Sequence, residues 1–108
     1  MAYDKTLAER IRTSFGTIPV IEKKMFGGVG YLLQGNMACG ILDDALIVRV
    51  GKENYEEALA RPHTRVFNIT GRVMRGWVMV GPAGTNNDEA LSGWVDEGVR
   101  FALTLPPK

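Results

Sequence analysis

The sequence predicts an α+β fold: an antiparallel sheet with helices on one face, in the order α-β-β-β-β-α-β-β-α. Three observations lead to it. Helical spacing of apolar residues is confined to the two ends and one short middle segment. Between them, short apolar runs are separated by turns rich in glycine, asparagine and aspartate. The runs come in succession, four and then two, instead of alternating singly with helices as a parallel sheet requires.

The first helix follows from Leu7, Ala8, Ile11 and Phe15 at helical spacing, with Glu9, Arg10 and Arg12 facing away. Asp4 is its expected N-cap, Gly16 its end, and Pro19 prevents its return. Four strands are expected next, at Ile21–Phe26, Val29–Gln34, Met37–Leu42 and Ala45–Val50. Gly35-Asn36 and Asp43-Asp44 supply two of their turns, giving an antiparallel meander. The run Leu46-Ile47-Val48 predicts a central, buried strand. A short helix is expected from Lys52 to Ala60, ended by Arg61-Pro62. Strands at Val66–Ile69 and Gly76–Val80 follow, joined by a turn at Thr70-Gly71. The last helix is expected from Asn87 to Leu103. It carries Asp88 and Glu89 in its first turn, and a stripe of Leu91, Trp94, Val95, Val99 and Ala102.

At 108 residues the chain is expected to form a single domain spanning 1–108. Its 45% hydrophobic and 23% charged fractions are those of a globular protein, and a net charge of +1 gives no overall pull toward nucleic acid or anionic lipid. The charges are unevenly placed. From Ala58 to Asn87 there is no acid, but there are Arg61, Arg65, Arg72 and Arg75, with acids at Glu53, Glu56, Glu57 before and Asp88, Glu89, Asp96, Glu97 after. Such a basic middle is either an anion-facing surface or a solvated face paired within the molecule. Cys39 is the sole cysteine, which excludes an intramolecular disulfide and fits a reducing compartment. The N-terminus lacks a basic segment followed by an apolar core. No apolar run approaches the roughly 20 residues that span a bilayer. A cytoplasmic location without membrane association is expected.

The segment Glu22-Lys23-Lys24-Met25-Phe26-Gly27-Gly28-Val29-Gly30-Tyr31 is the main candidate for a site. Its glycines do not make a dinucleotide loop: Leu33 stands at the third glycine position, and a strand follows instead of a helix. Two readings remain, a hairpin corner or a place where a ligand approaches the backbone beside Lys23 and Lys24. Adjacent on a strand, those lysines point to opposite faces, and Met25 shares a face with Lys23. Arg72-x-Met74-x-Gly76 echoes Lys23-x-Met25-x-Gly27. The candidate binding residues are therefore Lys23, Lys24, Gly27, Gly28, Arg72, Arg75 and Trp77. Trp77 is either a core residue or a stacking platform beside Arg75 and Gly76. Asp43-Asp44 reads as turn chemistry, His63 as an exposed loop residue, and Trp94 as core. No catalytic residues, metal ligands or cofactor are expected. The alternative is a small-molecule binder or enzyme with a pocket near Cys39 and Tyr31, Cys39 serving as nucleophile if it is reactive.

Several strings together resemble the N-terminal domain of the TfoX/Sxy family. They are Glu22 to Gly28, Gly35-Asn36-Met37 with Cys39-Gly40, Leu46-x-Val48-Arg49-Val50-Gly51, Gly71-Arg72-x-Met74-x-Gly76-Trp77-Val78 and Trp94-Val95. The resemblance covers nearly the whole chain. It implies bacterial origin and an α+β fold like that of type III secretion chaperones. Longer members regulate natural competence, activating competence genes with a cyclic-AMP receptor protein partner, and carry a second, helical domain. The resemblance here is to the lone N-terminal domain, and the family has no established catalytic residues. The expected function is a small non-enzymatic regulatory or interaction domain, with a transcription-related role. It would work through a protein partner first, with nucleic acid as a second candidate and a homodimer as a third.

Overall fold

The computed structural model describes residues 3–25, 27–69 and 71–108. Asp4 turns the chain into helix α1 (Lys5–Phe15), its carboxylate accepting the N–H groups of Thr6 at 2.9 Å and Leu7 at 3.1 Å. Gly16, with φ +62°, ends it. Strands β1 (Ile21–Met25), β2 (Gly28–Leu33), β3 (Asn36–Leu42) and β4 (Ala45–Arg49) then form the meander. After helix α2 (Tyr55–Leu59) come β5 (Thr64–Ile69) and β6 (Arg72–Val80), a 3-10 turn at Pro82–Gly84, and helix α3 (Asp88–Ala102). Asn87 caps α3, its side-chain oxygen accepting the Ala90 N–H at 2.7 Å. Among the described residues all strand pairings within the sheet are antiparallel, in the order β1-β2-β3-β4-β6-β5, so β6 inserts between β4 and β5. Among the described residues no helix is long and apolar enough to cross a membrane.

The expected element order holds, and several boundaries move. The hairpin turn between β2 and β3 is Gln34-Gly35, not Gly35-Asn36. Both turn residues have positive φ, +54° and +85°, the pattern of a tight type I′ turn. Asn36 belongs to β3, is buried, and donates its side-chain N–H to the Pro106 carbonyl at 2.9 Å. Helix α2 starts later than Lys52, because residues 52–54 turn first and the Asn54 amide donates to the Val50 carbonyl at 3.3 Å. Strand β6 starts at Arg72 and runs through Gly76, where φ is +91° and the β5–β6 register shifts. The Gly76 carbonyl accepts the N–H of both Val50 (2.8 Å) and Gly51 (3.0 Å), so the strand bulges instead of beginning there. Phe26 and Thr70, expected in the first strand and in the turn after Ile69, lie outside the described residues.

The sheet has two unlike faces. Leu46, Val48, Val78 and Val80 face the helices and join Leu7, Ile11, Phe15, Tyr55, Leu91, Val95 and Val99 in the main core. Trp94 belongs to that core and Cys39 is wholly enclosed by it. The alternate residues Ala45, Ile47, Phe67 and Met79 form a second cluster on the other face, with Met37, Leu42, Met74 and Trp77 packed over it. Among the described residues no helix residue contributes to this second cluster. Helix α3 approaches β3 so closely that a Cβ on Gly98 would collide with the Ala38 carbonyl.

Candidate functional site

Arg49 is the one charged residue of β4, following three residues with no exposed surface. Val48 faces the helices, so alternation turns Arg49 the other way, across from its register partner Trp77. Its guanidinium carbon lies 5.0 Å from the centre of the Trp77 ring and 5.5 Å from that of Phe101, near the end of α3. Gly51 allows this closure. Its φ is +87°, and a Cβ there would sit 2.5 Å from the Phe101 ring. The bulge at Gly76 presents Arg75 to the same place. The result is a cleft of about 330 Å³ lined by Arg49, Lys52, Glu53, Arg75, Trp77 and Phe101.

The cations of this cleft have no acidic partner among the described residues. Among the described residues Arg49, Lys52 and Arg75 make no ion pair, nor do Arg65 and Arg72. Partial burial holds the Arg49 guanidinium below the ordinary arginine pKa. The arginines of the helical side are all paired: Arg10 with Asp88 at 3.1 Å, Arg12 with Glu22 at 2.7 Å, and Arg100 with Asp96 at 3.6 Å. Arg61 is held by Glu57 at 2.6 Å and also by Glu97, and its guanidinium stacks on Trp94 at 4.6 Å. Of the acid-free run Arg61, Arg65, Arg72 and Arg75, only Arg61 has an acidic partner among the described residues.

The sequence-predicted residues divide into two groups. Lys23 and Lys24 are exposed on edge strand β1, while Arg72, Arg75 and Trp77 lie on β6. Three strands separate β1 from β6, roughly 19 Å at about 4.8 Å per strand, so the two similar motifs are not neighbours. Gly27 has φ +79° and open space around it, which is the geometry of a turn; Gly28 is buried in β2 opposite Met25. Close approach occurs instead at Gly30, where a Cβ would lie 2.9 Å from the Met25 sulfur and 3.2 Å from that of Met37. Gly30 alternates with Val29 and Tyr31 of the main core, so Met25, Met37 and its register partner Lys23 belong to the uncovered face.

Arg75 and Trp77 do meet in the cleft, but Arg49, Lys52 and Phe101 complete it and were not among the candidates. An arginine interrupting the apolar run Leu46 to Val50, two residues before a glycine, is the available signal. The pocket that the alternative reading places beside Cys39 and Tyr31 is filled by packing. Both residues have no exposed surface, neither lines the cleft, and the Phe15 ring packs at a tilt against Tyr31, 5.6 Å between centroids. Burial pushes the Cys39 thiol up to about 12, which leaves no thiolate at neutral pH. Hydrogen bonds from Arg12 hold the Glu22 carboxyl below the usual range, while the nearby buried Tyr31 hydroxyl makes no hydrogen bond among the described residues.

A family model described as the TfoX N-terminal domain matches residues 14–102. No curated protein matches the chain.

Proposed function

The chain belongs to the TfoX N-terminal domain family, and from that premise we propose that it is a non-enzymatic regulatory interaction domain holding an acidic, apolar segment of a partner protein. The observation that carries this is the second cluster. Met37, Leu42, Met74 and Trp77 stand half-buried over Ala45, Ile47, Phe67 and Met79, on a face without a helix. Methionine is flexible and polarisable, so such a surface adapts to varied apolar side chains. The strands carry six cations, Lys23, Lys24, Arg49, Arg65, Arg72 and Arg75, against a single acid, Glu22. Among the described residues none of the four arginines is in an ion pair, so an acidic segment gains new ion pairs without breaking old ones. A role in transcription would be exercised through that contact with a protein, as the resemblance to competence regulators suggests.

Methionine-methyl NMR tests the reading. The probe is a synthetic peptide with leucine and glutamate at helical spacing, compared with the same peptide bearing lysine for glutamate. The glutamate peptide should shift the methyls of Met37, Met74 and Met79 saturably, and more weakly as salt rises. Met74→Glu should weaken it by roughly tenfold or more, from the loss of one buried apolar side chain. Equal binding of the lysine peptide, or silence of those methyls, refutes the proposal.

A further inference from the structure

The cleft at the end of β4 adjoins the methionine face, sharing Trp77 with it, and is a pocket where that face is open. We infer that it is a binding site for a phosphomonoester carrying a flat ring. Charge points to the phosphate. Arg49, Lys52 and Arg75 line the cleft against one acid, Glu53, leaving a formal +2. A phosphomonoester carries about −1.5 to −2 at neutral pH and matches that excess, whereas a carboxylate leaves half of it uncompensated.

Geometry assigns the roles. With the Trp77 and Phe101 rings held against its guanidinium, Arg49 has its N–H edge left for a ligand. That edge is the fork that grips two oxygens of a phosphate together. The arginine is already partly desolvated and fixed by the rings, so little side-chain freedom is lost on binding. Arg75 and Lys52 reach the same oxygens from β6 and from the turn after β4. The walls formed by Val50, Trp77 and Phe101 are apolar and suit a flat ring. At about 330 Å³ the space lies at the small end of ligand pockets and takes one ring with its phosphate, not a polymer. Gly51 and Gly76, both at positive φ, let the backbone of β6 and the Phe101 ring close on the turn after β4, which forms the back of the cleft.

The test is a titration of nitrogen-15-labelled protein with phenyl phosphate, inorganic phosphate and benzoate. Phenyl phosphate should shift the Arg49 side-chain N–H, the amides of Gly51 and Gly76 and the Trp77 indole N–H, leaving the Trp94 indole unmoved. Inorganic phosphate and benzoate should each bind about tenfold more weakly, lacking the ring and the second charge respectively. Arg75→Gln, at an exposed position where folding is not at stake, should weaken phenyl phosphate about tenfold. Glu53→Gln should tighten it. Benzoate equal to phenyl phosphate overturns the phosphate, and inorganic phosphate equal to it overturns the ring. The site itself is overturned by no saturable shift at millimolar phenyl phosphate, or by unchanged affinity in Arg75→Gln.

Discussion

Replacing Gly98 by alanine pits two effects of comparable size against each other. In a helix interior alanine is favoured over glycine by about 1 kcal/mol, so α3 alone should gain. At position 98, however, the new methyl group points at β3. Its carbon would lie 3.1 Å from the Ala38 carbonyl carbon and nearer still to the oxygen. An ordinary contact is roughly 3.5 Å, so α3 must lift by about 1 Å, and a backbone carbonyl cannot rotate aside as a side chain can. Lifting separates Trp94, Val95 and Val99 from the sheet residues they pack against. Overpacking of this kind costs about 1–3 kcal/mol, and the upper part of that range applies, leaving a net loss of about 1–2 kcal/mol. Gly93 is the control. It lies on the exposed side of the same helix with nothing within 4 Å of a Cβ, so Gly93→Ala should gain about 0.5–1 kcal/mol. Urea unfolding reads both, with a slope of about 1–3 kcal/mol per molar. A Gly98→Ala protein as stable as the parent, alongside a stabilised Gly93→Ala, would show that the helix does not sit so close to β3.

Two further outcomes follow from the buried and paired groups. Ellman's reagent should leave Cys39 untouched in the native protein and react only as the protein unfolds; reaction at the rate of a free thiol contradicts its enclosure. Because the folded thiol titrates at about 12 and an unfolded one near 8.5, its contribution is complete below about pH 8.5 and declines above it, and Cys39→Ala should remove that alkaline decline. Glu22 has the opposite sign. Hydrogen bonds from Arg12 hold its folded carboxyl below the ordinary value, so its stabilisation is present above about pH 4.3 and fades as the pH falls through the folded value. The pair is largely solvated, so the effect is at most about 1 kcal/mol, and Glu22→Gln should flatten the acid limb of the stability curve. An identical acid limb in the variant would exclude the pair as its source.

What was legible in the sequence was what depends on near neighbours. The spacing of Leu7, Ala8, Ile11 and Phe15 reveals α1, because burial on one side of a helix repeats every three to four residues. Leu46 to Val48 is continuous because a central strand is covered on both faces, one by helices and one by side chains of its own sheet. Gly35 marks a turn, but a single glycine does not say whether it is the first or second turn residue, so the turn is expected one residue too late. Gly76 looked like a strand start because a bulge and a boundary share the same residue. The candidate site was legible only in part. Arg75 and Trp77 are two positions apart and could be seen together. Their meeting with Arg49 depends on the β4–β6 pairing, and with Phe101 on where α3 ends, distances that no local pattern encodes. The likeness of the Lys23 and Arg72 motifs misled for the same reason: similar strings lie near opposite edges of one sheet.

The division of charge between the two layers has a consequence for how the molecule meets others. A net charge of +1 describes the protein seen from afar. The helices carry seven acids and four cations, while the strands carry six cations and one acid, so the molecule is an electric dipole with its positive end at the sheet. Within a screening length of roughly 8–10 Å, an approaching anion feels that end and not the total. Encounters therefore begin already oriented, sheet foremost, and the domain should stay on a cation-exchange surface that its near-neutral charge alone would not hold.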